Sequence, residues 1–149
     1  MTENIKASIK HEVSLSMKEG NKFRTITLRL IVSAFQVEEI SKKEELNDKE
    51  CIEILEKMIK QRKDSISQFE SAGREELSKK EKDEILIIQE FMPEQLSVEE
   101  IDILVKKVIS ETNAESMKDM GKVMGMLKEL TSGKADAGYI SSEVKKALG

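Results

Sequence analysis

Few residues of this sequence are of the types that carry enzyme chemistry, and none is spaced to act with another. His11 is the only histidine, so neither a histidine-rich metal site nor a Ser-His-Asp arrangement has support elsewhere in the chain. Cys51 is the only cysteine and is interpreted as a small apolar residue early in a helix. The GKAD segment at residues 133–136 lacks the glycine spacing and the preceding strand of a phosphate-binding loop. We therefore predict no catalytic residue, no metal and no cofactor.

The stretch from Met120 to Gly138, MGKVMGMLKELTSGKADAG, places two glycines inside a predicted helix. Gly121 and Gly125 are four residues apart and so share one helix face. A glycine inside a helix costs roughly 0.5–1 kcal/mol relative to alanine, so two of them need a compensating role. Close approach is the role that glycine suits, because another backbone can lie against a surface that has no side chains.

Two interpretations of this bare helix face remain open. In the first, which the sequence favours, a neighbouring helix of the same module packs against the glycines. In the second, RNA approaches the face, Lys122 and Lys134 supply positive charge, and the amides at the start of the final helix meet a phosphate. Gly133 is predicted to end the glycine-bearing helix in the left-handed conformation, and Asp136 to cap the next helix. The methionines of this region are predicted to fill the core: Met117, Met120, Met124 and Met126.

A second group of charged residues begins with the segment KQRKDS, residues 60–65. The candidate interaction residues are Lys60, Arg62, Lys63, Asp64 and, beyond the next turn, Arg74. One interpretation is a docking surface for an acidic partner or for RNA phosphates. The other is a solvated helix face whose ion pairs contribute only a few tenths of a kcal/mol each. The sequence leaves both open.

Composition limits the classes of protein to which the chain can belong. Of its 149 residues, 25 are Lys or Arg and 29 are Asp or Glu, and the formal net charge is −4. This mildly acidic balance excludes a broad positive field for nucleic acid, so any RNA contact has to be local. A single cysteine is typical of a reducing compartment. No apolar run approaches the roughly 20 residues that a membrane span needs, and no signal peptide is recognised. We therefore expect a soluble, cytoplasmic protein that does not bind a membrane.

Apolar residues at the three- and four-residue spacing of a helix recur along the whole chain, which predicts an all-α fold. Four N-terminal helices are predicted at about residues 3–19, 21–40, 47–72 and 74–92. Thr2 is the predicted cap of the first, and Asn47 with Glu50 forms a predicted capping pair at the third. The second helix is apolar around most of its circumference and is expected to be the centre of the bundle. Ser41 to Asn47 is predicted to be a loop.

Pro93 ends the fourth predicted helix and marks the predicted boundary between two domains, residues 1–93 and 94–149. Ser97 with Glu100 forms a capping box at the start of the first tail helix. Ser116 with Asp119 is predicted to open the glycine-bearing helix in the same manner, and the last helix is predicted at residues 137–148. The sequence thus predicts a four-helix N-terminal region followed by a small three-helix tail module.

Three segments carry a resemblance to a known family. They are KQRKDSISQFESAGREELSKKEKDEI at residues 60–85, FMPEQLS at residues 91–97, and MGKVMGMLKEL at residues 120–130 followed by GKAD. In order and separation they resemble the GatB/YqeY family, which includes stand-alone small proteins of the YqeY type. The family also includes the C-terminal domain of the B subunit of tRNA-dependent amidotransferase. The resemblance covers nearly the whole chain.

The resemblance implies a non-catalytic module that binds tRNA or a tRNA-handling complex. In the amidotransferase the similar domain helps to bind tRNA, while a separate catalytic domain and another subunit carry the chemistry. Carried over residue by residue, the nucleic-acid-binding positions are Gly121, Lys122, Gly125, Gly133, Lys134 and Asp136. Two alternatives stay open: a protein-interaction adaptor without RNA binding, and an accessory activity like that of the carbon–nitrogen ligase, based on kinship alone.

The sequence departs from the family pattern at two places. GKAD is followed by Ala137 and Gly138, which moves the usual glycine by one position. Phe91, Met92 and Pro93 stand where Tyr-Leu-Pro is more usual, so the ring is kept and a hydroxyl is lost. The first departure weakens any specific expectation about RNA contacts at the turn, and neither affects the expected fold.

Overall fold

The computed structural model describes residues 4–149, and all regular structure in that range is helical. The helices are α1 (Ile5–Glu19), α2 (Lys22–Lys42), α3 (Asp48–Ser71), α4 (Glu75–Gln89), α5 (Val98–Thr112), α6 (Met120–Thr131) and α7 (Ala137–Leu148), with a 3₁₀ turn at Met117–Asp119. The predicted all-α class is therefore confirmed for the described residues.

The contacts divide the chain into two compact units, the first ending at Met92 and the second beginning at Pro93. The first unit contains α1 to α4, and its most extensive helix pairs are α3 with α4 and α1 with α2. The second contains α5 to α7, which all contact one another. Each unit has its own apolar core. The first core is centred on Ile9, Leu28, Ile31, Phe35, Cys51, Leu55 and Ile88. The second is centred on Val105, Val108, Val123, Leu127, Ile140 and Val144.

Capping side chains begin the helices at most of the predicted positions. Asn47 and Glu50 form a reciprocal capping box at α3, and Ser97 and Glu100 form another at α5, both as predicted. The cap of α1 is Asn4, whose side-chain oxygen accepts a hydrogen bond from the Ala7 amide at 2.7 Å. The predicted cap Thr2 and the predicted start at residue 3 lie outside the described residues.

Helix α2 is longer than predicted, and part of its apolar surface stays exposed. It continues to Lys42 and ends at Lys43 in the left-handed conformation, so the predicted loop begins two residues late. Leu28, Ile31 and Phe35 are the side chains that it buries. Helix α2 contacts all three other helices of the first unit, which agrees with its expected position at the centre of the bundle. The apolar residues left exposed are Phe23, Ile26, Leu30, Val37 and Ile40.

Candidate nucleic-acid interface

Helix α6 presents its two glycines to solvent. Gly121 and Gly125 are both exposed, and neither has the positive φ that would require glycine for conformational reasons. A Cβ atom added at either position would meet no atom within 4 Å. The interpretation that these glycines serve packing inside the module is therefore wrong for the part of the chain that the structure describes. Among the described residues, no packing contact at these positions compensates the destabilising effect of the two glycines.

Exposed lysines surround the glycines. Lys122 lies beside Gly121 as predicted, and Lys118 and Lys128 lie three residues before Gly121 and three residues after Gly125. We call this set, Lys118, Gly121, Lys122, Gly125 and Lys128, the α6 glycine face. Neither Lys118 nor Lys128 is among the binding residues predicted from the sequence. Their three-residue spacing from the glycines is the signal that could have found them.

Asp119 and Glu129 are acidic residues beside the α6 glycine face. The Asp119 carboxylate accepts hydrogen bonds from the amides of Glu115, at 2.9 Å, and Ser116, at 3.3 Å. These two bonds lower the pKa of Asp119, and the nearby charges of Lys118 and Lys122 lower it further. Asp119 thus stabilises the turn that precedes α6. Glu129 is exposed at the C-terminal end of the face, so the positive charge is concentrated toward the start of α6.

Gly133 does not lie with the exposed glycines. It is buried, with a φ of 74°, and it follows the end of α6 as predicted. Its carbonyl oxygen accepts a hydrogen bond from the Gln95 side-chain amide at 2.7 Å, and the Lys134 carbonyl oxygen accepts one from the Leu96 amide at 2.8 Å. Gly133 therefore helps to attach the segment before α5 to the turn after α6. The residue Lys134 is exposed.

The start of α7 is already occupied by a carboxylate. Asp136 is the N-cap, as predicted, and its Oδ1 accepts a hydrogen bond from the Gly138 amide at 3.2 Å. The sequence interpretation placed a phosphate at these amides. A negative side chain at this helix end repels a phosphate and competes for the same donors. At the start of α6 the N-cap residue is also a carboxylate, Asp119. It bonds the amides of Glu115 and Ser116 rather than those of α6, but its charge opposes an anion there as well.

The methionines of the tail are only partly core residues. Met120 and Met124 are half-buried and pack against the second core. Met117 and Met126 are exposed, so the prediction that they fill the core is wrong for these two. Their positions on the 3₁₀ turn and on α6 add apolar surface near the α6 glycine face.

The second group of candidate residues does not form one open surface. Arg62 is 14% exposed in its side chain and bonds the Glu84 carboxylate, at 2.9 Å from Nη2 and 3.1 Å from Nε. Its Nη1 also donates to the Met58 carbonyl oxygen. Arg62 therefore links α3 to α4 and is not available as a docking residue. The remaining members, Lys60, Lys63, Asp64 and Arg74, are exposed and carry mixed charge.

The residues with nucleophilic or ligating chemistry are not brought together. Cys51 is fully buried, and burial raises the pKa of its thiol above the usual range. This confirms its interpretation as an apolar core residue. His11 is exposed on α1. Between residues 4 and 149, no group of three or more His, Cys, Asp or Glu is arranged to hold a metal ion. In the same range, no helix combines the length and the apolar character that crossing a membrane requires.

Comparison with known proteins identifies relatives over nearly the full length. The family model described as Yqey-like protein matches residues 6–148. An uncharacterized protein of Schizosaccharomyces pombe is 34% identical over 94 residues, covering 63% of this chain and 76% of that protein. Altered inheritance of mitochondria protein 41, mitochondrial, of Kluyveromyces lactis is 31% identical over 95% of this chain and 83% of its own length. The protein of the same name from Pyrenophora tritici-repentis is 30% identical, over 90% and 75%.

These relatives correct one expectation. The Kluyveromyces and Pyrenophora proteins are both named as mitochondrial, which contradicts the cytoplasmic location expected from the sequence. That expectation rested on a single cysteine and on the failure to recognise a signal peptide. Neither feature distinguishes the cytoplasm from another reducing compartment.

Proposed function

Because the chain belongs to the YqeY-like family, we propose that it is a non-catalytic helical module that binds tRNA, or a complex that handles tRNA, through the α6 glycine face. In this proposal the three tail helices form the RNA-binding module, and the four N-terminal helices form a separate unit. The resemblance to the tail domain of the amidotransferase B subunit suggests the ligand. The exposed glycines and lysines of α6 suggest where on the module the RNA binds.

The observation that carries the proposal is the combination of bare backbone and positive charge on α6. Gly121 and Gly125 leave one side of the helix without side chains, and a Cβ there would meet nothing. A nucleic-acid backbone can therefore come closer to this helix than to one with ordinary residues. Lys118 and Lys122 stand at the N-terminal end, where the helix dipole adds positive potential and the single carboxylate of Asp119 offsets one of the two charges. Phosphate groups are the ligand that both features suit.

The surface predicts a local and modest electrostatic interaction. Three lysines belong to the α6 glycine face, and each phosphate contact contributes about 0.7–0.9 to the slope of log affinity against log salt. We therefore expect a slope of about −2 to −3, far smaller than that of strongly basic nucleic-acid-binding proteins. The rest of the affinity has to come from close contact between the RNA backbone and the helix surface that the two glycines leave bare.

The experiment is a titration of fluorescein-labelled bulk tRNA with the purified full chain, followed by anisotropy at several salt concentrations. Lys118→Glu and Lys122→Glu should each weaken binding by about tenfold and reduce the salt slope by about 1. The matched control is Lys107→Glu, an exposed lysine of α5 in the same unit, which should change binding little.

A second pair of variants tests shape separately from charge. Gly125→Leu fills the bare face without changing charge, and it should weaken binding at every salt concentration while leaving the salt slope unchanged. Ser142→Leu adds a large side chain at an exposed position of α7 in the same unit and serves as the control. Circular dichroism must show that all variants keep their helices. No binding of tRNA at low salt, or equal binding by Gly125→Leu and the wild type, would overturn the proposal.

A further inference from the structure

Helix α2 carries a row of exposed apolar side chains on the side opposite to the core. Its apolar members are between 40% and 77% exposed: Phe23, Ile26, Leu30, Val37 and Ile40. With the exposed Ser33 they recur at intervals of three, four, three, four and three residues. This is the a/d pattern of a coiled coil over three heptads. We call the six residues the α2 seam.

An exposed row of this kind is unusual for a surface helix. A surface helix normally has one apolar stripe, and that stripe faces the core. Here α2 has two, because Leu28, Ile31 and Phe35 are buried on the other side. Large contiguous apolar patches on soluble proteins mark interaction sites. The heptad spacing further indicates that the occupant is another helix, since a helix partner is what the a/d interval matches.

The charges beside the α2 seam are asymmetric. On one edge, at the g positions, stand Lys22, Arg29, Gln36 and Lys43. The e positions on the other edge are small and neutral: Thr27 is buried, Ala34 is half-buried and Ser41 is exposed. Lys10 of α1 lines a surface groove of about 310 Å³ together with Arg29 and Ser33, and it adds to the positive edge. Among the described residues, Lys10, Lys22 and Arg29 form no ion pair.

Acidic residues lie beside the α2 seam at its C-terminal end. Glu44 and Glu45 line a depression there with Ile40 and Lys43, and so offset the charge of Lys43. Glu39 lines the same depression, but its carboxylate is bonded to the Lys6 ammonium and to the Leu46 amide. The positive edge is therefore effective over the first two heptads, at Lys22 and Arg29.

A second copy of this chain suits these charges only in part. In an antiparallel pair of α2 helices, g positions face g positions, which sets Lys22 against Lys43, beside Glu44 and Glu45, and Arg29 against the neutral Gln36 of the second copy. In a parallel pair, g positions face e positions, so the basic row meets neutral residues and gains no ion pair. Neither arrangement gives Arg29 an acidic partner. A helix with carboxylates beside its apolar row provides one in either orientation.

We propose that the α2 seam is a docking site for an amphipathic α-helix of another protein, with acidic residues flanking its apolar row. The apolar side chains supply burial on binding, and Lys22 and Arg29 select for an acidic partner. This site lies in the first unit and on different residues from the α6 glycine face, so it can be tested independently of RNA binding.

Two synthetic peptides of three heptads test the proposal with the full-length chain. Both carry Leu at a and d; one has Glu at all e and g positions, and the other has Lys there. Like charges at e and g keep each peptide from pairing with itself. Anisotropy of the labelled peptides should show the Glu peptide binding about tenfold or more tighter than the Lys peptide at low salt. Equal binding of the two, or no binding of either, would overturn the proposal.

Variants locate the site and test the role of charge. Leu30→Asp and Val37→Asp should each abolish binding of the Glu peptide without unfolding the protein, since both side chains are exposed. The matched control is Leu86→Asp, another exposed leucine, on α4 of the same unit. It should leave binding unchanged. The double variant Lys22→Glu and Arg29→Glu should reverse the preference toward the Lys peptide.

Sedimentation equilibrium of the protein alone tests whether a second copy of the chain occupies the α2 seam instead. The wild type should remain monomeric at concentrations where it binds the Glu peptide. A dimer that Leu30→Asp dissociates would show that the α2 seam binds a second copy of the chain, and it would overturn the proposal.

Discussion

The helices of the first unit and those of the second unit are held together by different kinds of interaction. In the first, ion pairs cross between helices: Lys6 with Glu39, Arg24 with Glu12 and Glu90, Lys42 with Glu50, Arg62 with Glu84, and Lys82 with Glu70. In the second, the described ion pairs stay within one helix, Lys106 with Asp102 in α5 and Lys146 with Glu143 in α7. The tail helices therefore associate through their apolar core and through backbone bonds at the turns.

This difference shows how each unit is specified. Apolar contacts are non-directional, so the second unit depends on the helical spacing of Val, Ile and Leu. Ion pairs and polar contacts between helices need particular geometries. The buried hydrogen bond between the Ser16 and Thr25 hydroxyls, at 2.7 Å, is one such contact of the first unit. We expect the second unit to respond mainly to loss of apolar volume and the first also to loss of single charges.

The largest effect is expected from the core of the tail. Leu127 is fully buried, so Leu127→Ala should lower the free energy of unfolding by about 2–5 kcal/mol through lost burial and a cavity. Tyr139 is the only tyrosine, and the chain has no tryptophan, so tyrosine fluorescence during urea unfolding reports on the second unit alone. Leu130→Ala, on the same helix but exposed, should change stability by less than about 0.5 kcal/mol. Equal effects of the two variants would contradict an apolar core at Leu127.

The next largest effect is expected at the pair between α3 and α4. The Glu84 side chain is only 8% exposed, so Glu84→Ala removes the nearest partner of Arg62, leaves it only Glu81 at 3.9 Å, and should cost about 2–3 kcal/mol. The double variant Arg62→Met and Glu84→Leu should recover most of this loss, because no charge remains buried. The control, Lys106→Ala in the second unit, breaks an exposed pair and should cost less than about 0.5 kcal/mol. Urea unfolding followed by circular dichroism measures all three. A double variant no more stable than Glu84→Ala would refute the explanation.

A smaller effect of opposite sign is expected at the bare helix. Gly125→Ala should raise the free energy of unfolding by about 0.5–1 kcal/mol, because the methyl group meets nothing and alanine favours the helix. Gly20 is also in open space, but its φ is 73°. Gly20→Ala should therefore destabilise the chain. Chemical unfolding of the two variants shows whether the effect of a new methyl group on stability depends on the free space around it or on the backbone conformation of the glycine it replaces. Destabilisation by Gly125→Ala would restore the packing interpretation.

The smallest effect is expected from acid at the pair between α1 and α2. The hydrogen bond from Lys6 lowers the pKa of Glu39, and the Leu46 amide lowers it further. A group with a lowered folded-state pKa stabilises the protein above its unfolded-state pKa, about 4.3 for Glu, and loses that contribution as the pH falls through the folded-state value. Unfolding free energies of the wild type and Glu39→Gln should differ at pH 6–8 and converge below about pH 4. A constant difference would exclude the titration of Glu39 as its cause.

Much of the fold could be predicted from the sequence because it depends on interactions between residues close together in the chain. The capping pairs Asn47 with Glu50 and Ser97 with Glu100 begin helices where predicted, because a cap bonds amides within three residues of itself. Gly20 and Gly133 likewise adopt the left-handed conformation at helix ends. Helical spacing predicted the all-α class, and the three motif segments predicted the family. Each of these features depends only on residues close together in the chain.

The tertiary structure decided which face of each helix is covered. Apolar residues surround most of α2, so only packing could decide that Leu28 is buried and Leu30 exposed. The Arg62 and Glu84 side chains are 22 residues apart in sequence and meet only after α3 and α4 pack. The exposure of Gly125 and the burial of Gly133 were settled in the same way. Helix periodicity defines a face but not its neighbour, because the neighbour is chosen by contacts between segments distant in sequence.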